Sequence, residues 1–217
     1  MSFMQYVIPA MAILASTTAN ASANEAQWGG PYIGAHAGYT SFKPDYSEPL
    51  DEDGLDRNTN PNAQGISGGV LAGYNVQAKG VVLGIEADFG LTGADAGPNA
   101  TSDNDYSAFD LKWNGHLRAR VGYPIGKTLI FAAGGLAVAH AQVDDVDAGW
   151  GEECDTYTGF TIGGGVEHAV GEKLTVRAEY LFDKYGKKNG SISGEYTYPY
   201  SVDPSTHTIR AAVAYRF

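Results

Sequence analysis

The sequence predicts an all-β fold, an eight-stranded antiparallel up-and-down transmembrane β-barrel. Three observations carry that prediction. From Trp28 onward the chain reads as segments of alternating polarity separated by turn-rich stretches. The connections between those segments alternate strictly between short and long. The chain also closes on Val213-Ala214-Tyr215-Arg216-Phe217, an alternating segment that ends on an aromatic residue.

Residues 7–15 form an apolar run of signal-peptide length, shorter than the roughly 20 residues a membrane helix needs. Two overlapping small-x-small sites follow, ending at Ala21 and Ala23, and cleavage after Ala23 leaves a polar start at Asn24-Glu25. Residues 1–6 hold no Lys or Arg, so the positive n-region is reduced to the α-amino group. This divides the chain into a signal peptide, 1–23, and one barrel domain, 24–217. No stretch after residue 23 has the length or apolarity of a membrane helix, so crossing a membrane falls to strands.

Eight segments follow, at about 31–42, 64–77, 81–90, 109–123, 128–142, 158–170, 174–183 and 206–217. Ala78-Lys79-Gly80, Pro124-Ile125-Gly126-Lys127 and Gly171-Glu172-Lys173 are tight turns, whereas the other four connections run to about 14 to 22 residues. Even strand number and strict alternation put both termini and the tight turns at one end, expected to be periplasmic. The four long loops are expected outside the cell.

Period-2 parity assigns the faces. In the third segment Val81, Leu83, Ile85, Ala87 and Phe89 oppose Gly84, Glu86 and Asp88. In the fourth, Leu111, Trp113, Leu117, Ala119, Val121 and Tyr123 oppose Asp110, Lys112, Asn114, His116, Arg118 and Arg120. A soluble sandwich could also bury one face and hydrate the other. The polar parity, however, also holds Gly65, Gly69, Gly73, Gly163 and Gly165, which suits a crowded narrow interior. Parity is ambiguous around Gly134-Gly135, a place for a bulge. Aromatics near predicted strand ends, Trp28, Tyr32, Tyr74, Phe89, Tyr123, Tyr180, Phe182 and Phe217, read as interfacial girdles.

Several motifs then carry a specific resemblance: Asn75-Val76-Gln77, Leu83-Gly84-Ile85-Glu86-Ala87-Asp88-Phe89, Arg118-Ala119-Arg120-Val121-Gly122-Tyr123, Gly134-Gly135-Leu136-Ala137, Gly163-Gly164-Gly165-Val166-Glu167, Arg177-Ala178-Glu179-Tyr180-Leu181 and Tyr215-Arg216-Phe217. The chain resembles the small porin-like outer-membrane antigens of alphaproteobacteria, related in fold to the membrane domain of the outer-membrane protein A family. The resemblance spans essentially the whole mature chain, strands better than loops. It implies a Gram-negative outer-membrane location, an envelope-stabilising and surface-antigen role, and loosely a porin activity. It does not extend to a peptidoglycan-binding domain, so no cell-wall tether is implied. The C-terminal residues Val213, Tyr215 and Phe217 resemble the signal read by the outer-membrane assembly machinery. Outer-membrane lipids and lipopolysaccharide are the other expected partners, and a monomer is the expected state.

Charges of both signs fall on the lumen parity: Glu86, Asp88, Arg118, Arg120, Glu167, Arg177, Glu179 and Arg210. An eight-stranded barrel is only wide enough for its side chains to fill, so these groups are expected to pair across it. Two readings stand. One is a static polar plug, and the other is a gate in which Arg and Glu exchange partners to open a narrow ion path.

The net charge of −11 sits in the connections: 43–63, 91–108, 144–157 and 184–205 carry −4, −3, −6 and +1. Nucleic-acid binding, which wants a basic stripe, gains no support. Asp51-Glu52-Asp53-Gly54-Leu55-Asp56, Asp144-Asp145-Val146-Asp147 and Glu152-Glu153 offer carboxylates to divalent cations, but the first run departs from the EF-hand order. Solvated, self-repelling loops are the simpler account, and neither metal nor cofactor is expected. The single Cys154 excludes an intrachain disulfide, and its acidic neighbours disfavour the thiolate. A lipid A-modifying enzyme is the rival class. Ser205 and His207 supply a nucleophile and a base in type only, with no orienting carboxylate apparent, and His36 and His116 read as lumen packing. The expectation is therefore no enzyme.

Overall fold

The computed structural model describes residues 28–47, 63–95, 107–145, 153–193 and 197–217. The signal segment with Ala21 and Ala23, and the acidic run 51–56, lie outside them. Nine strand segments are present in the described residues: β1 (Gly30–Ser47), β2 (Ala63–Ala78), β3 (Val81–Asp95), β4 (Ser107–Ile125), β5 (Thr128–Asp145), β6 (Glu153–Ala169), β7 (Leu174–Tyr185), β8 (Lys188–Ser193) and β9 (Thr197–Arg216). Each pairs antiparallel with its neighbour, and β1 pairs with β9 from Tyr32↔Arg216 to Ser47↔Ser201, which closes the sheet. Closure leaves no membrane-exposed strand edge, the condition for crossing a bilayer with strands.

The barrel has eight staves rather than nine. Strand β7 pairs with β9 up to Lys184↔Ser205, and β8 resumes beside the same strand at Lys188↔Val202 after a one-residue change of register. Thus β7 and β8 form one stave broken at Gly186-Lys187. The stretch 184–205, expected as a loop, contains β8 and the first part of β9, which project beyond the apolar wall as a hairpin. Strands β1, β3, β4 and β5 also run past their expected ends.

The turns follow their residues. Lys79 (φ 50°) and Gly80 (φ 78°) connect Ala78 to Val81 with both central residues left-handed, as a type I′ hairpin requires. Gly126 (φ 60°) leads the two-residue turn between Ile125 and Thr128, the position a type II′ turn reserves for glycine.

Outward residues form an apolar belt. On β3 it runs from Val81 through Leu83, Ile85 and Phe89 to Leu91, all exposed. Ten rises of about 3.3 Å, tilted about 40°, project to about 25 Å, the height of the apolar band of an outer-membrane barrel. Such a surface is incompatible with water as the only solvent.

Within the described part of the expected segments, parity fails on β4. Strand β4 changes register between Leu111 and Trp113 against both neighbours, a bulge centred on Lys112. It turns Leu111 into the lumen, 2% exposed, and leaves Lys112 exposed, reversing the expected faces of both. The register through Gly134-Gly135, where a bulge was anticipated, is continuous.

Candidate functional site in the barrel lumen

Strand parity delivers all eight predicted lumen charges to one interior layer. Glu86, Asp88, Arg118, Arg120, Glu167, Arg177, Glu179 and Arg210 are each at most 8% exposed. The register brings several together directly: Glu86↔Arg118 on β3 and β4, Glu167↔Arg177 on β6 and β7, and Glu179↔Arg210 on β7 and β9. Cross-lumen contacts link these rungs into one network.

Glu86 lies at its centre. One carboxylate oxygen accepts from Arg118, and the other accepts from Arg177 Nη1 at 2.7 Å and from the Tyr32 hydroxyl at 2.7 Å. Arg118 also donates to Glu179 Oε1 at 2.6 Å and lies 3.2 Å from Asp88. Glu179 in turn accepts from Arg210 Nε at 2.9 Å, and Arg210 donates to both oxygens of Asp88, at 3.1 and 3.3 Å. Toward the turn end, Glu167 accepts from Arg120 at 2.8 Å, from Arg177 at 3.0 and 3.2 Å, and from Thr175 at 2.8 Å. Four carboxylates face four guanidiniums, so Coulomb attraction and charge-assisted bonds offset the cost of desolvating each charge.

Three members of this layer were not among the predicted network residues. His116 Nδ1 lies 2.7 Å from Asp88, and its Nε2 lies 3.3 Å from Asp183, which is fully buried. His116 therefore stands between two carboxylates rather than as inert packing, and its even parity with Arg118 and Arg120 was the available signal. Asp183 shares the parity of Arg177 and Glu179. Tyr32, read as a girdle residue, instead points inward at 2% exposure and takes a hydrogen bond from Arg120 at 3.1 Å. Residues on the lumen side make room for these long side chains: a Cβ at Gly73 would overlap the Tyr32 hydroxyl, and one at Gly69 would stand 2.8 Å from His36 Nε2.

Apolar layers lie on both sides of the ionic one. At the turn end Trp28, Val82, Leu129, Phe131, Ala133 and Ala169 pack together. Phe131 lies 4.4 Å below the Arg120 guanidinium and 5.1 Å from that of Arg177, while Arg216 stacks 5.0 Å over Trp28. Trp28 is fully buried, so it caps the lumen and belongs to no girdle. At the loop end Leu111, Ala137, Ala139, Tyr157 and Tyr185 form a second cluster. The aromatics Phe89, Tyr123, Tyr180 and Phe217 are exposed on the outer wall, as girdle residues should be.

The rival catalytic pair does not assemble. The Ser205 hydroxyl donates to the Lys43 carbonyl at 3.4 Å, while His207 Nδ1 lies 2.7 Å from the Tyr180 hydroxyl. Each side chain thus has its own partner, and among the described side chains no carboxylate is hydrogen-bonded to the imidazole as a triad would need. Among the described residues no group of three or more His, Cys, Asp or Glu is placed to hold a metal ion. The side chains of Cys154, Asp144 and Asp145, and the whole of 146–152, are outside the described part. At the C-terminus Val213, Tyr215 and Phe217 are all exposed on the outer wall, with the Phe217 amide donating to the Pro31 carbonyl at 3.1 Å.

Residues 10–217 match the family described as the outer membrane protein beta-barrel domain. The chain is 34% identical over 206 residues to the 31 kDa outer-membrane immunogenic protein of Brucella melitensis, covering 88% of this chain and 84% of the relative. It is 33% identical over 174 residues to a 22 kDa outer membrane protein of Rhizobium leguminosarum, covering 80% and 72%. Among solved structures, OprG of Pseudomonas aeruginosa aligns with a TM-score of 0.53 at 12% identity, covering 87% of this chain and 97% of that one. Neisserial surface protein A aligns at 0.50 and 16% identity, covering 86% and 97%. These two likenesses concern the fold. Sequence relatives, belt and closed sheet agree: the chain belongs to the outer-membrane β-barrel domain family and is an outer-membrane protein.

Proposed function

We propose that this protein is a closed structural barrel that stabilises the outer membrane and presents acidic loops on the cell surface, without enzymatic activity. One observation carries the reading. The ionic layer is buried between two apolar layers, Trp28 to Phe131 at the turn end and Leu111 with Tyr185 at the loop end. An ion entering this lumen would have to cross apolar packing and displace charge-assisted bonds on both sides. In this reading the turn end faces the periplasm, the loops face outward as in a surface antigen, and Val213, Tyr215 and Phe217 engage the assembly machinery.

A gated pore is the second reading, favoured by the shared partners of Arg118, which bonds both Glu86 and Glu179. Planar-bilayer recording of refolded protein separates the two. The closed barrel gives no discrete steps, either as the natural sequence or after charge reversal at Glu86 or Arg118. Steps whose size follows those reversals would establish the pore instead. Loss of the gene should raise sensitivity to detergents that attack the envelope, and an unchanged sensitivity would remove the stabilising role.

A further inference from the structure

Among the described carboxylates of the lumen, Asp183 stands outside the guanidinium pairing. Arg118, Arg120, Arg177 and Arg210 share Glu86, Asp88, Glu167 and Glu179 between them, and none of the four lies within ion-pair distance of Asp183. Its side chain is nonetheless fully buried, and neither of its oxygens accepts a hydrogen bond from a described residue. Thr161 and Thr206 flank it in the register, yet neither hydroxyl is bonded to it. The group that faces it is His116, whose Nε2 lies 3.3 Å from Asp183 Oδ1.

The other side of the imidazole fixes where its first proton sits. Asp88 lies 3.2 Å from Arg118 and takes hydrogen bonds from Arg210 at 3.1 and 3.3 Å, so it is held as a carboxylate, an acceptor only. His116 Nδ1, 2.7 Å from Asp88 Oδ1, is therefore the donor of that contact. A neutral ring with its proton on Nδ1 presents only a lone pair at Nε2, and an ionised Asp183 presents only lone pairs in return. Two acceptors 3.3 Å apart, one of them a buried charge without a partner, form an arrangement that a dry interior strongly disfavours. A single additional proton removes the conflict. On Nε2 it makes an imidazolium between two carboxylates, and on Asp183 it makes a carboxylic acid that donates to the ring.

The other charged and titratable groups at this level are committed elsewhere. Arg118 on β4 itself and Arg210 on β9 both face Asp88, and both also bond Glu179 of β7. His36 on β1 is buried with neither ring nitrogen hydrogen-bonded to a described residue. The inward residues that β2, β5 and β6 pair to this row, Leu71, Ala137 and Thr161, carry no charge. We infer that the His116–Asp183 pair holds one proton in the folded barrel, and that this proton fastens β4 to β7 across the lumen beneath the loop-end cap. Tyr185 of that cap is the next inward residue after Asp183 on β7, so losing the proton loosens the loop end first. In the unfolded chain His116 is an ordinary imidazole, mostly neutral above about pH 6.5. The folded barrel then binds one proton more than the unfolded chain, and its stability falls as the pH rises from there.

The test uses the full mature barrel refolded in detergent micelles. Nuclear magnetic resonance at about pH 7.5 reads the ring nitrogens of His116 and the carboxyl carbon of Asp183, each signal assigned by its loss in His116→Gln or Asp183→Asn. The expected result is a doubly protonated ring, or a neutral ring beside a carboxylic acid. A neutral ring beside an ionised Asp183 would overturn the inference. In urea titrations read by gel mobility, the unfolding constant of the natural sequence should rise about three- to tenfold per pH unit between about pH 7 and 8.5, relative to the double variant His116→Gln, Asp183→Asn. That comparison cancels the N-terminal amine and Cys154, which titrate in the same range. A relative rise below about threefold per unit would also overturn the inference, as would its loss in His36→Gln, which would move the proton to the other lumen imidazole. The labelled natural barrel decides the matter if the double variant does not fold. Neither result bears on the closed-barrel reading, which conductance decides.

Discussion

Arg118 joins strands that are not neighbours: it faces Glu86 in the β3–β4 register and also bonds Glu179, on β7, at 2.6 Å. The barrel wall alone would hold β3 beside β4. It is the guanidinium that ties this side of the wall to the opposite one, in a layer where Arg118 is 1% exposed.

Arg118→Met should therefore destabilise the barrel by about 3 to 5 kcal/mol, because four buried carboxylates are left facing three guanidiniums and each of Glu86 and Glu179 loses one of its cationic partners. Combining it with Glu86→Gln should cost less than the sum of the two single changes, with a coupling of about 0.5 to 3 kcal/mol. Urea midpoints in detergent, read by gel mobility, give both numbers.

Tyr32→Phe removes one hydroxyl that donates to Glu86 and accepts from Arg120. The ring and its packing against Leu71, Ala212 and Ala214 remain. A loss of about 1 to 3 kcal/mol is expected, since the hydrogen bonds removed are to charged groups. The same urea titration measures it, and a neutral result would mean that the charged layer re-pairs without the phenol.

Gly73→Val places a branched side chain against the Tyr32 ring and within 2.7 Å of the Ile85 carbonyl oxygen. Overpacking of this kind costs about 1 to 3 kcal/mol, and the double variant Gly73→Val, Tyr32→Ala should recover only part of the refolding yield lost in Gly73→Val, because the contact with the Ile85 carbonyl remains and the Glu86 hydrogen bond is gone. Recovery would show that the defect is steric and local.

Trp28→Ala removes the turn-end cap and should cost about 3 to 5 kcal/mol. If the lumen is closed mainly by the ionic layer, the folded variant remains silent in a planar bilayer. If Trp28 is the principal barrier, conductance steps appear.

Phe217→Ser changes an outward residue that is 65% exposed, so the stability of refolded protein should shift by less than about 1 kcal/mol. The amount of barrel reaching the outer membrane of cells should fall sharply all the same. Equal surface levels would separate Phe217 from assembly.

The lumen charges were legible because a strand exposes its two faces with a fixed period of two. Once Leu83, Ile85 and Phe89 were assigned to lipid, Glu86 and Asp88 had no other place to point. Closure around eight staves then required Arg118, Arg120, Arg177 and Arg210 to share the same narrow space. His116 and Asp183 obeyed the same parity, yet their pairing depends on which staves lie across the lumen, and period-2 patterning within one strand carries no such distance.

What the sequence determined by itself was the set of staves, the face of nearly every wall residue, and hence the membrane as solvent. The tertiary structure decided the rest. The Lys112 bulge exchanged the faces of Leu111 and Lys112, because one extra residue reverses parity beyond it. Trp28 and Tyr32 turned inward to cap and bond the lumen, where a buried apolar layer or a charged partner stabilises them more than an interface does. Which carboxylate meets which guanidinium was settled only on closure, because ion pairing depends on distances across the barrel that no local pattern encodes.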